Sequence, residues 1–141
     1  MGEGHADWTF GRAEETLLTA DRLRQNGRDW PNIYYLSGLA VEHALWAIRV
    51  RRAMLTSPDY HKVTPHHDLN KIAVHCGLVE ELKRTIRGNR AFHMNWRTVC
   101  DWDNNSRYQR VSAQDAKDMC LAVNNPTSGV MPWLRNIYQT G

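Results

Sequence analysis

The chain contains no uninterrupted apolar run approaching the roughly 20 residues that a membrane-crossing helix needs. It is also poor in cysteine and lysine. Three cysteines, Cys76, Cys100 and Cys120, are an odd number at wide spacing, with no CxxC pair, which is poor material for a disulfide framework. Each lies in an apolar-periodic segment, where cysteine behaves as a small hydrophobe, and all three are read as reduced thiols. The opening residues Met1-Gly2-Glu3-Gly4-His5 lack the basic-then-apolar pattern of a signal peptide. A cytoplasmic protein is the expectation. No strand-like alternation of useful length occurs, which argues against a β architecture. Nor does any repeat, low-complexity run or linker divide the 141 residues, so one domain over 1–141 is expected.

Bulky packing residues are plentiful: six Trp, five Tyr and two Phe within an apolar content of 42%. A chain of this size can bury a core without staples. The formal charge is +3, and only four of the 18 basic residues are lysine. Guanidinium forks suit phosphates and aromatic stacking better than ammonium groups do. So mild an excess permits phosphate binding without requiring it, and a solvated mixed-charge surface accounts for it equally.

Apolar residues recur at helical spacing through most of the chain. A first helix is expected from about Trp8 to Asn26, with Phe10, Ala13, Leu17 and Ala20 on one side and Gly27 as its stop. The second, about Pro31 to Leu55, carries small residues at Ser37, Ala40, Ala44 and Ala47, a spine that lets a neighbouring helix approach closely. Thr64-Pro65 are read as the start of a third helix, bearing Leu69, Ile72, Ala73 and Cys76. A fourth region runs from about Leu78 to Cys100, with a break near Gly88 left open. The run Asp101 to Ser106 is turn chemistry. Ser112 with Asp115 resembles a capping box for a fifth helix, and a short last helix covers Met131 to Tyr138. The expected fold is an all-α, antiparallel bundle of about five helices.

Three stretches together resemble small bacterial members of the HEPN family (higher eukaryotes and prokaryotes nucleotide-binding domain). These are YYLSGLAVEHALWA from Tyr34, HHDL from His66, and NWRTVCDWDNNSRY from Asn95 with its paired tryptophans ahead of Arg-Tyr. The tail VNNPTSGVMPWL from Val123 is similar as well, so the likeness spans about Tyr34 to Leu134. It implies an antiparallel bundle, usually a homodimer packed through helix faces, with no cofactor. Some relatives are metal-independent ribonucleases or toxins, and others are non-catalytic partners of nucleotidyltransferases. A toxin–antitoxin or defence context follows from the likeness alone.

The family's nuclease motif is an Arg, four to six residues, then a His, and Arg87 with His93 satisfies that spacing. Histidine can move protons at a 2′-hydroxyl while arginine stabilises charge on the phosphate. On one continuous helix, however, six residues turn through about 600°, leaving the two side chains ~120° apart. Gly88 also stands where the family has a polar residue. A second pattern is a basic stripe: Lys83, Arg87, Arg90 and Arg97 fall on one face if the helix is continuous. Such a stripe can track a phosphate backbone, or it can be a solvated face. Arg49, Arg51 and Arg52 form another basic cluster near the end of the second helix, where positive charge complements the dipole.

The remaining motif residues read as architectural. Glu42 lies among apolar neighbours and needs a partner if buried, with Arg107 or His67 as candidates. Asp68 suits the N-terminal dipole of the third helix. Trp96, Trp102, Arg107 and Tyr108 are expected to anchor the turn into the fifth helix. His61, His66, His67, His75 and Cys76 cluster in sequence without the ligand pairs of a known metal motif, so no metal is expected. The leading expectation is a non-catalytic protein that binds nucleic acid or a protein partner through a basic helix face. The alternatives are a ribonuclease using Arg87 and His93, and an antitoxin-like partner module with no nucleic-acid contact.

Overall fold

The computed structural model describes residues 2–56, 67–103, 105 and 110–140, with side chains omitted at 2–3 and 53–56. Among the described residues the chain is all-helical, with seven α-helices and no strand. They are α1 (Gly2–Asn26), α2 (Trp30–Thr56), α3 (Leu69–His75), α4 (Val79–Gly88), α5 (Arg90–Cys100), α6 (Ala113–Asn124) and α7 (Val130–Thr140). None is long and apolar enough to cross a membrane.

The first two helices form an antiparallel pair along their lengths, turned by three residues in which Gly27 (φ 67°) and Asp29 (φ 62°) take the left-handed conformation. Glycine meets that φ without a Cβ penalty, which is why it stops the helix. Helix α1 starts six residues earlier than its sequence suggests. Gly2 and Gly4 lower the local propensity, yet Ala6 is fully buried and extends the inward row Phe10, Ala13, Leu17 and Ala20 by one turn.

The small-residue spine of α2 faces inward, with Ser37, Ala40, Ala44 and Ala47 all fully buried. The Ser37 hydroxyl donates to the Ile33 carbonyl at 2.8 Å and lies 3.5 Å from Cys120 Sγ on α6. Helices α6 and α7 pack on α2 beside α1, and α5 closes against α6. The larger of two core clusters among the described residues contains Leu45, Ile48, Phe92, Trp96, Val99, Met119, Met131 and Leu134, and the smaller gathers Ile33, Ala116 and Cys120. Two links tie α7 to α1: Arg135 grips Glu14 with both arms (2.7 and 2.9 Å), and the Tyr138 hydroxyl donates to Asp7.

One expectation about a helix start is corrected, and the break left open near Gly88 is present. The third helix begins at Leu69, not near Thr64-Pro65, because Asp68 is its N-cap and accepts from the Lys71 N–H at 3.0 Å. Thr64 and Pro65 themselves lie outside the described residues. The fourth region is two helices. Asn89 adopts an extended conformation (φ −148°, ψ 98°), and its side chain accepts from the Phe92 N–H at 3.0 Å as the cap of a new helix. One half of the capping box expected after the turn is present: Ser112 is the N-cap and accepts from the Asp115 N–H at 3.0 Å.

Candidate nucleic-acid interface

Helix α4 buries no residue completely. Leu82 and Ile86, four apart, lean on the core, and the rest of the helix surface is left to charged side chains. Lys83, Arg84 and Arg87 are exposed on α4, and Arg90 and Arg97 are exposed on α5. No hydrogen bond or ion pair with another described residue engages any of these five. Because Asn89 breaks the helix, the single stripe expected from steps of four, three and seven does not exist as one helical face. Lys83 and Arg87 belong to one helix, and Arg90 and Arg97 to the next.

On α5 the pattern survives over two turns. Arg90, His93, Met94 and Arg97 sit at i, i+3, i+4 and i+7, which share a face. His93 is half-buried there and Met94 is exposed. Arg87 at the end of α4 and Arg97 in the last turn of α5 each complement a helix dipole. Arg90 does the opposite. It is the first residue of α5, in a first turn that contains no acidic side chain, so its charge adds to the positive end of the dipole. Arg84 is the one cation of this group that sequence spacing did not single out. It lies off the stripe, and its only signal is adjacency to Lys83.

The break at Asn89 also changes the geometry of the Arg87–His93 motif. The ~120° offset assumed a continuous helix, whereas the two residues stand on separate helices. His93 donates its backbone N–H to Asn89 O at 3.1 Å, and no side-chain hydrogen bond to a described residue orients its ring.

The second basic cluster is used inside the fold. Arg49 is buried and donates to the His75 carbonyl at 3.3 Å. Arg51 donates to the Tyr138 carbonyl at 2.5 Å and lies over the Tyr138 ring. Arg52 reaches the carbonyls of Cys76 and Gly77, each at 3.2 Å, and pairs with Glu81 at 2.7 Å. All three are therefore stitches between α2 and its neighbours.

Glu42 is 4% exposed in the middle of α2, and its carboxylate is paired with His67 Nδ1. Burial pushes the Glu42 carboxyl above its usual range, opposed by the pull of His67. Arg107 and Tyr108 lie outside the described residues. Trp96 and Trp102 are buried. Trp96 meets Trp133 edge-on at 6.1 Å, and the Trp102 indole N–H donates to the Tyr35 carbonyl at 3.1 Å. Trp102 packs on Gly38, a seat that sequence reasoning missed.

The three thiols are free, and burial raises all of them, Cys76 and Cys100 to about 12. Nucleophilic chemistry at neutral pH needs the opposite shift. Among the described residues no group of three or more His, Cys, Asp or Glu could hold a metal ion; His61 and His66 lie outside them.

Together, fold and surface define an all-helical bundle with an outward basic patch. No family model, curated protein or solved structure matches the chain.

Proposed function

We propose that this chain is a HEPN-like, non-catalytic protein that binds the phosphate backbone of nucleic acid through the outer faces of α4 and α5. The observation that carries the reading is Arg90. A solvated basic surface arranged for stability would place cations at helix C-termini, as Arg87 and Arg97 are placed. Arg90 instead stands at a helix N-terminus, three residues after Arg87, with no acidic partner among the described residues. A phosphate there meets a guanidinium and the positive end of the dipole together. Lys83, Arg84 and Arg97 extend the positive surface to either side.

Filter retention of labelled RNA and DNA at low salt, compared with an Arg90→Gln/Arg97→Gln variant, tests this. Both exposed side chains can be changed without touching the core. Retention equal to wild type would remove the reading and favour a protein-partner role, such as an antitoxin or a nucleotidyltransferase companion.

One observation supports a ribonuclease as the second reading. Arg90 and His93 share a face of α5, three residues apart, so a phosphate held by Arg90 lies within reach of an imidazole. Cleavage of RNA in EDTA, lost in His93→Ala, would move the protein into that class.

A further inference from the structure

Helices α4 and α7 leave between them a cleft of about 350 Å³. Trp133, Asn136 and Ile137 line it from α7, at i, i+3 and i+4, and Glu81, Arg84 and Thr85 line it from α4 with the same spacing. The half-buried indole is held in place: its N–H donates to the Thr85 hydroxyl at 3.1 Å, and that hydroxyl donates to the Glu81 carbonyl at 2.8 Å. The Glu81 carboxylate pairs with Arg52 of α2 at 2.7 Å, so its charge is balanced. Arg84 and Asn136 are exposed, and the side chain of neither makes a hydrogen bond to another described residue. At about 100° per residue, Arg84 stands ~60° round α4 from Arg87 and ~60° the other way from Glu81. It therefore belongs to the basic face and to the cleft at once.

We propose that this cleft takes one unpaired, amino-bearing base, cytosine or adenine, of the strand whose phosphates lie on α4 and α5. The inference rests on the basic-face reading and adds to it a preference for one base over another. Arg84 holds a phosphate at the edge of the cleft, where its guanidinium has no competing partner among the described residues. Trp133 and Ile137 supply the aromatic and apolar surface against which unstacked bases pack. The volume is at the low end of the ~300–1,000 Å³ of small-molecule sites, room for a single base. Two side chains read the edge of that base. The Asn136 amide offers a donor and an acceptor, whereas the Glu81 carboxylate only accepts. An exocyclic amino group donates to such a pair. The carbonyl of uracil or thymine in the same place sets oxygen against oxygen. Within a duplex the amino group is engaged by the opposite base and must be unpaired first.

Filter retention of oligocytidine and oligouridine of equal length at neutral pH tests it, because the two share a backbone charge and differ in the amino or carbonyl group of the base. Wild type is expected to hold oligocytidine about tenfold tighter, the usual discrimination from one well-read base. Asn136→Trp fills the cleft from an exposed position, so helical circular dichroism should match wild type while the affinity for oligocytidine falls to that for oligouridine. Its salt slope should stay as in wild type, since no phosphate contact is removed. Asn136→Ala leaves the cleft open and should narrow the difference between the two strands. Equal wild-type affinity for both strands, or a cytidine preference that survives Asn136→Trp, overturns the base site while salt-dependent retention leaves the basic face standing. Retention of neither strand at low salt overturns both readings. Displacement of oligocytidine by an equal concentration of cytidine monophosphate would mean a site for free nucleotide and would overturn the assignment to a strand.

Discussion

The indole of Trp102 occupies the space that any side chain on Gly38 would need: a Cβ at Gly38 would come within 2.2 Å of the Trp102 ring. The contact fixes the turn after α5 against the middle of α2. The indole N–H reinforces it by donating to the carbonyl of Tyr35, three residues before the glycine. Gly38→Ala is therefore expected to destabilise the fold by about 1–3 kcal/mol, the range for overpacking a filled core. Urea unfolding followed by tryptophan fluorescence measures it, and an unchanged midpoint would mean that the ring moves aside without cost.

The Asn89 side chain both starts α5 and, through the same oxygen, accepts from the Ser128 hydroxyl at 3.4 Å. Asn89→Ala should cost ~1 kcal/mol, the usual loss for an N-cap. It should also disturb the position of Arg90, so reduced RNA retention is expected beside the lower melting temperature.

Glu42 offers a test with a defined sign. Its folded pKa is raised by burial, so its contribution to stability is complete below the unfolded carboxylate range and is lost as pH rises through the folded value. Glu42→Gln keeps an oxygen for His67 but never ionises. The stability of the variant relative to wild type should therefore increase from acid toward neutral pH. Paired urea titrations at about pH 4, near the unfolded glutamate range, and at neutrality measure the trend. Equal differences at the two pH values would show that Glu42 is not held in a desolvating environment.

For the catalytic alternative, RNA incubated with wild type and His93→Ala in EDTA gives a direct comparison. The binding account expects no cleavage by either protein. Cleavage by wild type alone would assign the chemistry to His93.

Most of the helical framework was legible in the sequence, because periodicity reports which face is buried. The α2 spine, Gly27 as a stop and the Ser112 cap all followed from local chemistry. Helix boundaries were less legible where tertiary contact overrode propensity, as with Ala6 extending α1 through two glycines. Asn89 could be recognised as a cap only once its backbone was extended, and that one residue divided the expected basic stripe. The second cluster, Arg49, Arg51 and Arg52, looked in sequence like any other exposed run. Its partners are carbonyls and an acid 24 to 87 residues away, which spacing does not encode. The Glu42 partner was narrowed to two residues by burial arguments, and His67 fills that place.

The salt dependence of RNA and DNA binding by wild type and the Arg90→Gln/Arg97→Gln variant tests the basic face most directly. If both arginines contact phosphates, affinity falls steeply with salt. The slope of log affinity against log salt should then be shallower in the variant by about 1.8 on duplex DNA and about 1.4 on single strands. Binding with the same slope in both proteins, or no retention by wild type at low salt, would contradict the account.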